Sequence, residues 1–424
     1  MNAVSLESIE LGVATSATQI EGGDVGTIGH RWADSGAAVD HSTPAVGCDH
    51  WNRVEDDTAL LASLGVRHYR MGLEWARIEP APNTFDDAAI AHYRSELEGL
   101  RAAGITPLVT LHHFNDPIWF SDAGGFLGDD ATATFLRYVK RAVLEYGDLV
   151  HEWITLNEPD VFALNGYYRG SWPPGRKTLR DYLRVQSGMA HAHVKAYELI
   201  HAMHPNARVG FAQHLRVFDP LDARNPLDHA SATAISHTFQ GAGTMAACRG
   251  RFMLPFVQPS DVRPGRYHDF LGVNYYSRSM MHHASEHVAP RVPVTDLGWE
   301  IYPEGLTRVL TEYHERFGGP IYITENGAAD AGDSFRARFI YEHLAEIVRS
   351  GLPVERYYHW SFVDNWEWGE GQTTRFGLIG NDFRTQERTV RESARFYADL
   401  IANRGVTEEA YRRWVAPQMY RTNS

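Results

Sequence analysis

The amino-acid sequence predicts an α/β protein, a single (β/α)8 TIM barrel with elaborated βα loops that takes up residues 1–424 as one domain. Three observations carry this. Eight short runs rich in Val, Ile, Leu, Tyr and Thr alternate with segments of helical periodicity from end to end. No internal repeat or linker interrupts the alternation, so one closed unit explains it better than several domains. Most of the runs stop at a polar or aromatic residue, as strands do when they deliver side chains to a barrel mouth.

In chain order, Leu11 to Ser16 reads as the first strand, before a loop rich in Gly, Asp and His. Trp51 to Leu64 is helical and stops at Gly65, and Val66 to Met71 is the second strand. A helix over Asp86 to Ala103 ends at Gly104. Ile105 to Leu111 follows as a nearly unbroken apolar run, the pattern of a strand buried on both faces. Ala131 to Tyr146 is helical, Trp153 to Asn157 is the fourth strand, and Thr178 to His204 is a long helix with Pro205 beyond it. Arg208 to Ala212 is a short fifth strand, Phe270 to Tyr275 the sixth, Pro320 to Thr324 the seventh and Arg356 to Trp360 the eighth. Helices over Pro303 to Phe317, Phe335 to Ser350 and Arg391 to Asn403 complete the pattern. Between Pro220 and Gly265 the sequence shows one poorly patterned helix and a Pro/Gly-rich approach to strand six.

Composition narrows the function. Net charge is −13 and no basic block stands out, which argues against a nucleic-acid partner, because phosphate binding needs a concentrated cationic face. Cys48 and Cys248 are the only cysteines, too few for a disulfide framework, and no Cys-x-x-Cys or His-Glu-x-x-His spacing suggests a metal. Met1 to Glu10 has neither a basic residue nor an apolar core of a secretory leader, and no apolar run is long enough to span a bilayer. The expectation is a cytoplasmic protein that needs no cofactor and has no membrane partner; composition says nothing about oligomeric state.

Two stretches share one form. Ile321-Tyr322-Ile323-Thr324-Glu325-Asn326-Gly327 and Trp153-Ile154-Thr155-Leu156-Asn157-Glu158-Pro159 are both apolar runs that end in a carboxylate and a turn. The two acids are 325 − 158 = 167 residues apart, so only the fold can bring them together. The other strand ends offer Gln19, Arg70, His113, Asn274, Tyr276 and Trp360, with Glu367 and Trp368 in the last loop. Neutral amides, a histidine, carboxylates and indole rings suit a sugar: the polar groups match hydroxyls, and the rings match the apolar face of a pyranose. No phosphate loop or dinucleotide fingerprint appears.

These residues reach a family. The chain resembles the glycoside hydrolase family 1 β-glycosidases over nearly its whole length, through eight stretches in order. They are Ala14 to Gly22, Tyr69-Arg70 with Glu74 to Ile78, Val109 to Phe114, Thr155 to Pro159, Leu271 to Tyr276, Gly298 to Leu306, Ile323 to Gly327 and Trp360 to Trp368. The resemblance implies a retaining exo-β-glycosidase with Glu325 as nucleophile and Glu158 as general acid/base. It also implies that Arg70 and Tyr276 contact Glu325, that Asn274 supports the acid pair, and that Gln19, His113, Asn157, Glu367 and Trp368 bind the sugar over Trp360. Such chemistry needs Glu325 ionised and Glu158 protonated at the start. The expected substrate is a small β-glycoside or oligosaccharide, with a glucoside favoured and galactosides and fucosides tolerated, since Glu367 can accept from either O4 configuration.

Blander readings stand beside these. His112 reads as structural, His113 could be a core-edge residue, Trp366 and Trp368 could both pack, and Trp119 and Trp172 could line the entrance or simply fill space. Where the family has Trp after the strand-three histidine, this chain has Phe114, which lacks the N–H donor. The segment Pro220 to Gly265 has no family match, so leaving-group preference is not inherited. Competing functions are a 6-phospho-β-glycosidase, disfavoured by Glu367, and a sugar-binding pseudoenzyme, disfavoured by the presence of both acids.

Overall fold

Eight parallel strands form a closed barrel: β1 (Glu10–Ala14), β2 (His68–Gly72), β3 (Thr106–Thr110), β4 (Glu152–Asn157), β5 (Arg208–His214), β6 (Leu271–Tyr275), β7 (Ile321–Asn326) and β8 (Val354–Trp360). The strands pair around the ring in chain order, and β8 closes it against β1. The structure, a computed structural model, describes residues 2–23 and 25–423. No helix among the described residues is long and apolar enough to cross a membrane.

The outer helices form where the periodicity places them. Asp86 starts the helix Asp87–Ala102 by accepting from the amides of Ala88 and Ala89, and Thr178 starts Leu179–Met203 by accepting from that of Asp181. Pro303 occupies the first turn of Pro303–Phe317, where its missing N–H costs nothing. One apolar cluster lies between the barrel and these helices, and a second, including Leu108, Ile154, Tyr322 and Tyr358, fills the barrel interior. The barrel is therefore a plugged core, and chemistry is confined to its rim.

Four expectations shift. The first strand stops at Ala14, because Ala17–Ile20 already forms a helical turn that carries Gln19. The helix expected from Trp51 is split into a short turn at His50–Asn52 and the helix Val54–Ser63. Strand β5 runs two residues beyond Ala212, through Gln213 and His214. The segment read as one poor helix is two, Pro226–Ser236 and Ala242–Arg249, joined by a wider turn at His237–Gly241. Outside the barrel, Val217–Pro220, Arg278–His282 and Ser285–His287 make a small three-stranded sheet beside the mouth.

Two ladder irregularities matter for the site. Pairing of β7 with β6 slips between Ile323 and Glu325, and pairing of β4 with β5 slips between Ile154 and Asn157. A bulge re-aims the residues after it. Both acid-bearing strands are thus bent immediately before their acid.

Candidate active site

The strand ends converge on a cavity of about 350 Å³. Glu158 and Glu325 line it together with Gln19, His113, Tyr276, Trp360, Glu367 and Trp368. Arg70, Asn157 and Asn274 lie fully buried just behind them.

Arg70 organises the floor. Its guanidinium donates to Glu325 Oε1 at 2.6 Å, to the Thr324 carbonyl at 3.0 Å, to Asn157 Oδ1 at 2.6 Å and to Thr110 Oγ1 at 3.1 Å. The Tyr276 hydroxyl donates to the other oxygen of Glu325 at 2.6 Å. Asn274 Nδ2 donates to Asn157 Oδ1 at 3.0 Å and to Glu158 Oε1 at 2.8 Å, while Thr324 Oγ1 donates to Asn274 Oδ1 at 2.6 Å. Both acids therefore hang from one hydrogen-bonded frame, with Asn157 at its centre.

That frame also fixes a tautomer. Because Asn157 Oδ1 accepts from Arg70 and Asn274, its Nδ2 must be the group facing His113 Nε2 at 3.1 Å. The His113 Nε2 is then the acceptor and the proton sits on Nδ1, which is buried and has no protein partner. Burial, with Arg70 nearby, holds this imidazole neutral by pushing its pKa well below the usual value.

At the far end Gln19 Nε2 donates to Asn365 Oδ1 at 2.8 Å and Glu367 Oε2 at 3.2 Å, and Trp360 Nε1 donates to Glu367 Oε1 at 3.1 Å. Burial raises the Glu367 carboxyl to about 8 despite the indole donor. A protonated Glu367 both donates and accepts, which suits a sugar hydroxyl. The Trp360 ring is stacked beside His113, with centroids 5.8 Å apart. Trp368 stacks on Trp172 at 5.0 Å and meets Phe114 edge-on.

Electrostatics set the two acids apart. Burial raises Glu325 to about 7; Arg70 and Tyr276 pull it down, and the Glu158 charge pushes it further up. Glu158 stands on the same Asn157–Asn274 frame but has no contact with Arg70 or Tyr276 among the described hydrogen bonds. Direct contact with Arg70 favours Glu325 as the member that carries the charge.

Backbone geometry at the mouth is unusual. Glu158, Phe114 and Trp368 all have positive φ, at 39°, 64° and 50°. Non-glycine residues pay for that conformation, and it clusters where a side chain must be aimed. Gly327, just after Glu325, is glycine for a different reason: a Cβ there would overlap the Trp360 carbonyl oxygen. The turn after β7 can thus press against the end of β8.

Several ambiguous residues are placed. His112 is buried and paired with Asp116 at 2.9 Å, away from the cavity. Trp366 is buried against Trp32 and Trp368 and lines nothing, and Trp119 packs on Trp75 under Arg137. Trp172 does line the cavity. The residue missed by sequence reasoning is His214, whose Nδ1 lies 3.2 Å from Glu158 Oε1 and whose ring stacks over Tyr276. A polar pair closing a buried strand, Gln213-His214, is its signal, close in form to Asn157-Glu158. Asp228, His282 and His283 could reach one ion, but they lie outside the cavity, and the Asp228 oxygens already accept from Asn225, Asp222, His282 and the His283 amide.

Comparison with known proteins agrees with this geometry. The model of glycosyl hydrolase family 1 matches residues 7–406. The chain is 30% identical to beta-glucosidase A of Acetivibrio thermocellus, covering 93% of this chain and 97% of that protein. A beta-glycosidase from Pyrococcus horikoshii superposes with a TM-score of 0.89 at 32% identity, over 97% of this chain and 98% of the other. The beta-glucosidase from Thermotoga maritima in complex with glucoimidazole does so with a TM-score of 0.89 at 29% identity, over 96% and 100%.

Proposed function

The chain belongs to glycosyl hydrolase family 1, and from that premise we propose that Glu325 is the nucleophile and Glu158 the acid/base of a retaining β-glycosidase of the β-glucosidase type. The observation that carries the reading is the shared frame: Arg70, Asn157, Asn274 and Tyr276 hold both acids at one cavity.

The chemistry follows from those contacts. Glu325, kept anionic by Arg70 and Tyr276, attacks the anomeric carbon as the bond to the leaving oxygen breaks. Glu158 gives its proton to that oxygen, and a glycosyl ester forms on Glu325. The Glu325 charge is now gone. Glu158, as carboxylate, takes a proton from water, the water oxygen bonds to the anomeric carbon on the face the leaving group vacated, and Glu325 is released. Two inversions retain the β configuration. Asn157 is placed for the 2-hydroxyl, where contacts strengthen in the transition state. Gln19, His113, Glu367 and Trp368 hold the rest of the ring over Trp360.

A terminal β-glucoside is the favoured substrate, with β-galactosides and β-fucosides as alternates. Glu367 disfavours a 6-phosphorylated sugar chiefly by filling the space between Gln19 and Trp360; its raised carboxyl weakens the charge argument. We read the 424 residues as one catalytic unit and place it in the cytoplasm, a location that fractionation checks.

The test is azide rescue. Glu325→Gly should lose at least about 10⁴-fold in kcat, and added azide should restore turnover to the α-glycosyl azide. A β-azide from that variant would mean the two acids have exchanged roles. Turnover by wild type confined to 6-phosphoglucosides in a panel of aryl β-glycosides would overturn the substrate class.

A further inference from the structure

We propose that the mouth of the cavity is built for a leaving group that carries a carboxylate, held by Arg169 and Arg216. This rests on the assignment of Glu158 as the acid, because the group that protonates the leaving oxygen marks the leaving-group side.

Both arginines lie on that side. Arg169 ends the wide turn Leu164–Arg169, which continues the helix Pro159–Ala163 that Glu158 caps, and Arg216 lies two residues after His214, the residue touching Glu158. Both line the cavity, and neither has a hydrogen bond to Gln19 or Glu367 among the described contacts. Among the described residues the acid in ion-pair range of either is Glu286, and they share one of its oxygens: Arg169 Nη2 and Arg216 Nη1 each lie 3.6 Å from Oε2. That is an ion pair beyond hydrogen-bonding distance. Two guanidiniums thus share one carboxylate at close range, with Glu158 and Asp160 acting on Arg216 only from beyond ion-pair distance, which leaves open donors.

Arg216 is the better defined of the two. Its main chain is clamped by Gln240, whose amide accepts from the Arg216 N–H at 2.9 Å and donates to its carbonyl at 3.0 Å. Its Nη1 donates to Ser279 Oγ at 3.0 Å, while Nε is buried with no partner. A buried, unsatisfied guanidinium N–H is costly, and a ligand oxygen would satisfy it. The walls between, Phe218, Phe239, Leu297 and Trp299, are apolar and offer a ring a slot before the charge. The other carboxylates on the cavity are Glu158, Glu325 and Glu367 at its floor and exposed Glu370 beside Gly369, none of them paired with either arginine. A planar carboxylate matches two guanidinium forks better than a neutral leaving group does.

The test compares 4-carboxyphenyl β-glucoside with its neutral isostere, 4-carbamoylphenyl β-glucoside. Wild type should favour the carboxylate by about tenfold in kcat/KM, and raising salt should shrink that preference. Arg216→Met and Arg169→Met should each lower the carboxylate-to-amide ratio by about five- to tenfold. If Arg216→Met does not fold, Arg169→Met, on a separate and half-exposed element, decides. A wild-type ratio at or below one, or a ratio that neither variant moves, would overturn the proposal. Failure to cleave even the amide would instead sink the glycosidase reading on which it stands.

Discussion

Two buried ionic networks in this molecule use the same residue types to opposite ends. One sits under the mouth: Arg70 against Glu325, with Glu158 and Glu367 nearby. The other is wedged between the helices Val54–Ser63 and Asp87–Ala102, where His50 bridges Asp57 at 2.8 Å and Glu96 at 3.1 Å and Arg388 closes on Asp57 at 3.0 Å. In the second, both His50 nitrogens face carboxylates, so both must donate and the ring is an imidazolium. Two cations there meet two anions. Around Arg70, one cation meets three acids. The consequence is a reversal of sign. Burial penalises Asp57, yet His50 and Arg388 bring its carboxyl below the ordinary range, whereas burial carries Glu325 up to about 7 in spite of Arg70. Balanced charge makes a buried network structural; a surplus of acid leaves a proton to move.

The comparison breaks most visibly at His50. Removing it in His50→Ala leaves Asp57 and Glu96 short of a partner, and breaking a buried network this way costs about 3–5 kcal/mol. A large fall in melting temperature at pH 7 is expected, with unchanged kcat in the protein that remains folded. The pH dependence follows from the same network. Burial alone would lower His50, but Asp57 and Glu96 raise it to about 10. A pKa raised above the unfolded value of about 6.5 stabilises fully below that value, and the contribution is lost as pH rises through the folded one. Wild-type stability should therefore decline between roughly 6.5 and 10 in pH, and His50→Ala should lack that limb. A variant as stable as wild type at pH 7 would remove the distinction between the two networks.

Arg70→Met probes the other side. The acids there can answer the loss of charge by taking up a proton, so the stability cost should be smaller than for His50→Ala. Activity should fall about 10²–10³-fold in kcat/KM, since the nucleophile loses its fixed counter-charge. Because Arg70 holds Glu325 down, the acidic limb of the pH–rate profile should move to higher pH. A limb that moves down, or not at all, would mean Arg70 does not set the charge on Glu325.

Much of the mouth was legible because burial and polarity collide there. An apolar run that ends in Asn-Glu or Thr-Glu can place the acid only at a strand end, and the alternation of runs with helices fixed eight such ends on one ring. What sequence could not carry was lateral: which neighbour each end meets. Trp366 and Trp368 lie in one loop, and only the family resemblance set Trp368 apart for the sugar; in the structure one is core and the other faces the cavity. The slips before Glu158 and Glu325 depend on strand pairing, which no local pattern encodes. Phe239 comes from the unmatched segment, where a wide turn between two helices disrupts the helical period. His214 falls just past the short run Arg208 to Ala212 that the sequence offers as strand five, and only strand pairing shows that the strand continues through it.

His214 gives the smallest effect and the finest distinction, since it touches only one of the two acids. Its Nδ1 faces the Glu158 oxygen that Asn274 already binds, and its ring lies parallel to Tyr276. It lines the cavity beside Glu158, and its polar contact there is with the acid, so we treat it as a positioning residue. His214→Phe keeps a ring over Tyr276 and deletes the donor. If that donor aims Glu158 at the leaving oxygen, the loss must scale with how much the leaving group needs a proton. An alkyl β-glucoside should slow about tenfold, the worth of one such hydrogen bond. A dinitrophenyl glucoside, whose leaving group departs as a stable anion, should slow far less. Equal losses on both substrates would reduce His214 to packing, and a larger loss on the activated one would tie it to Glu325 through Tyr276 instead.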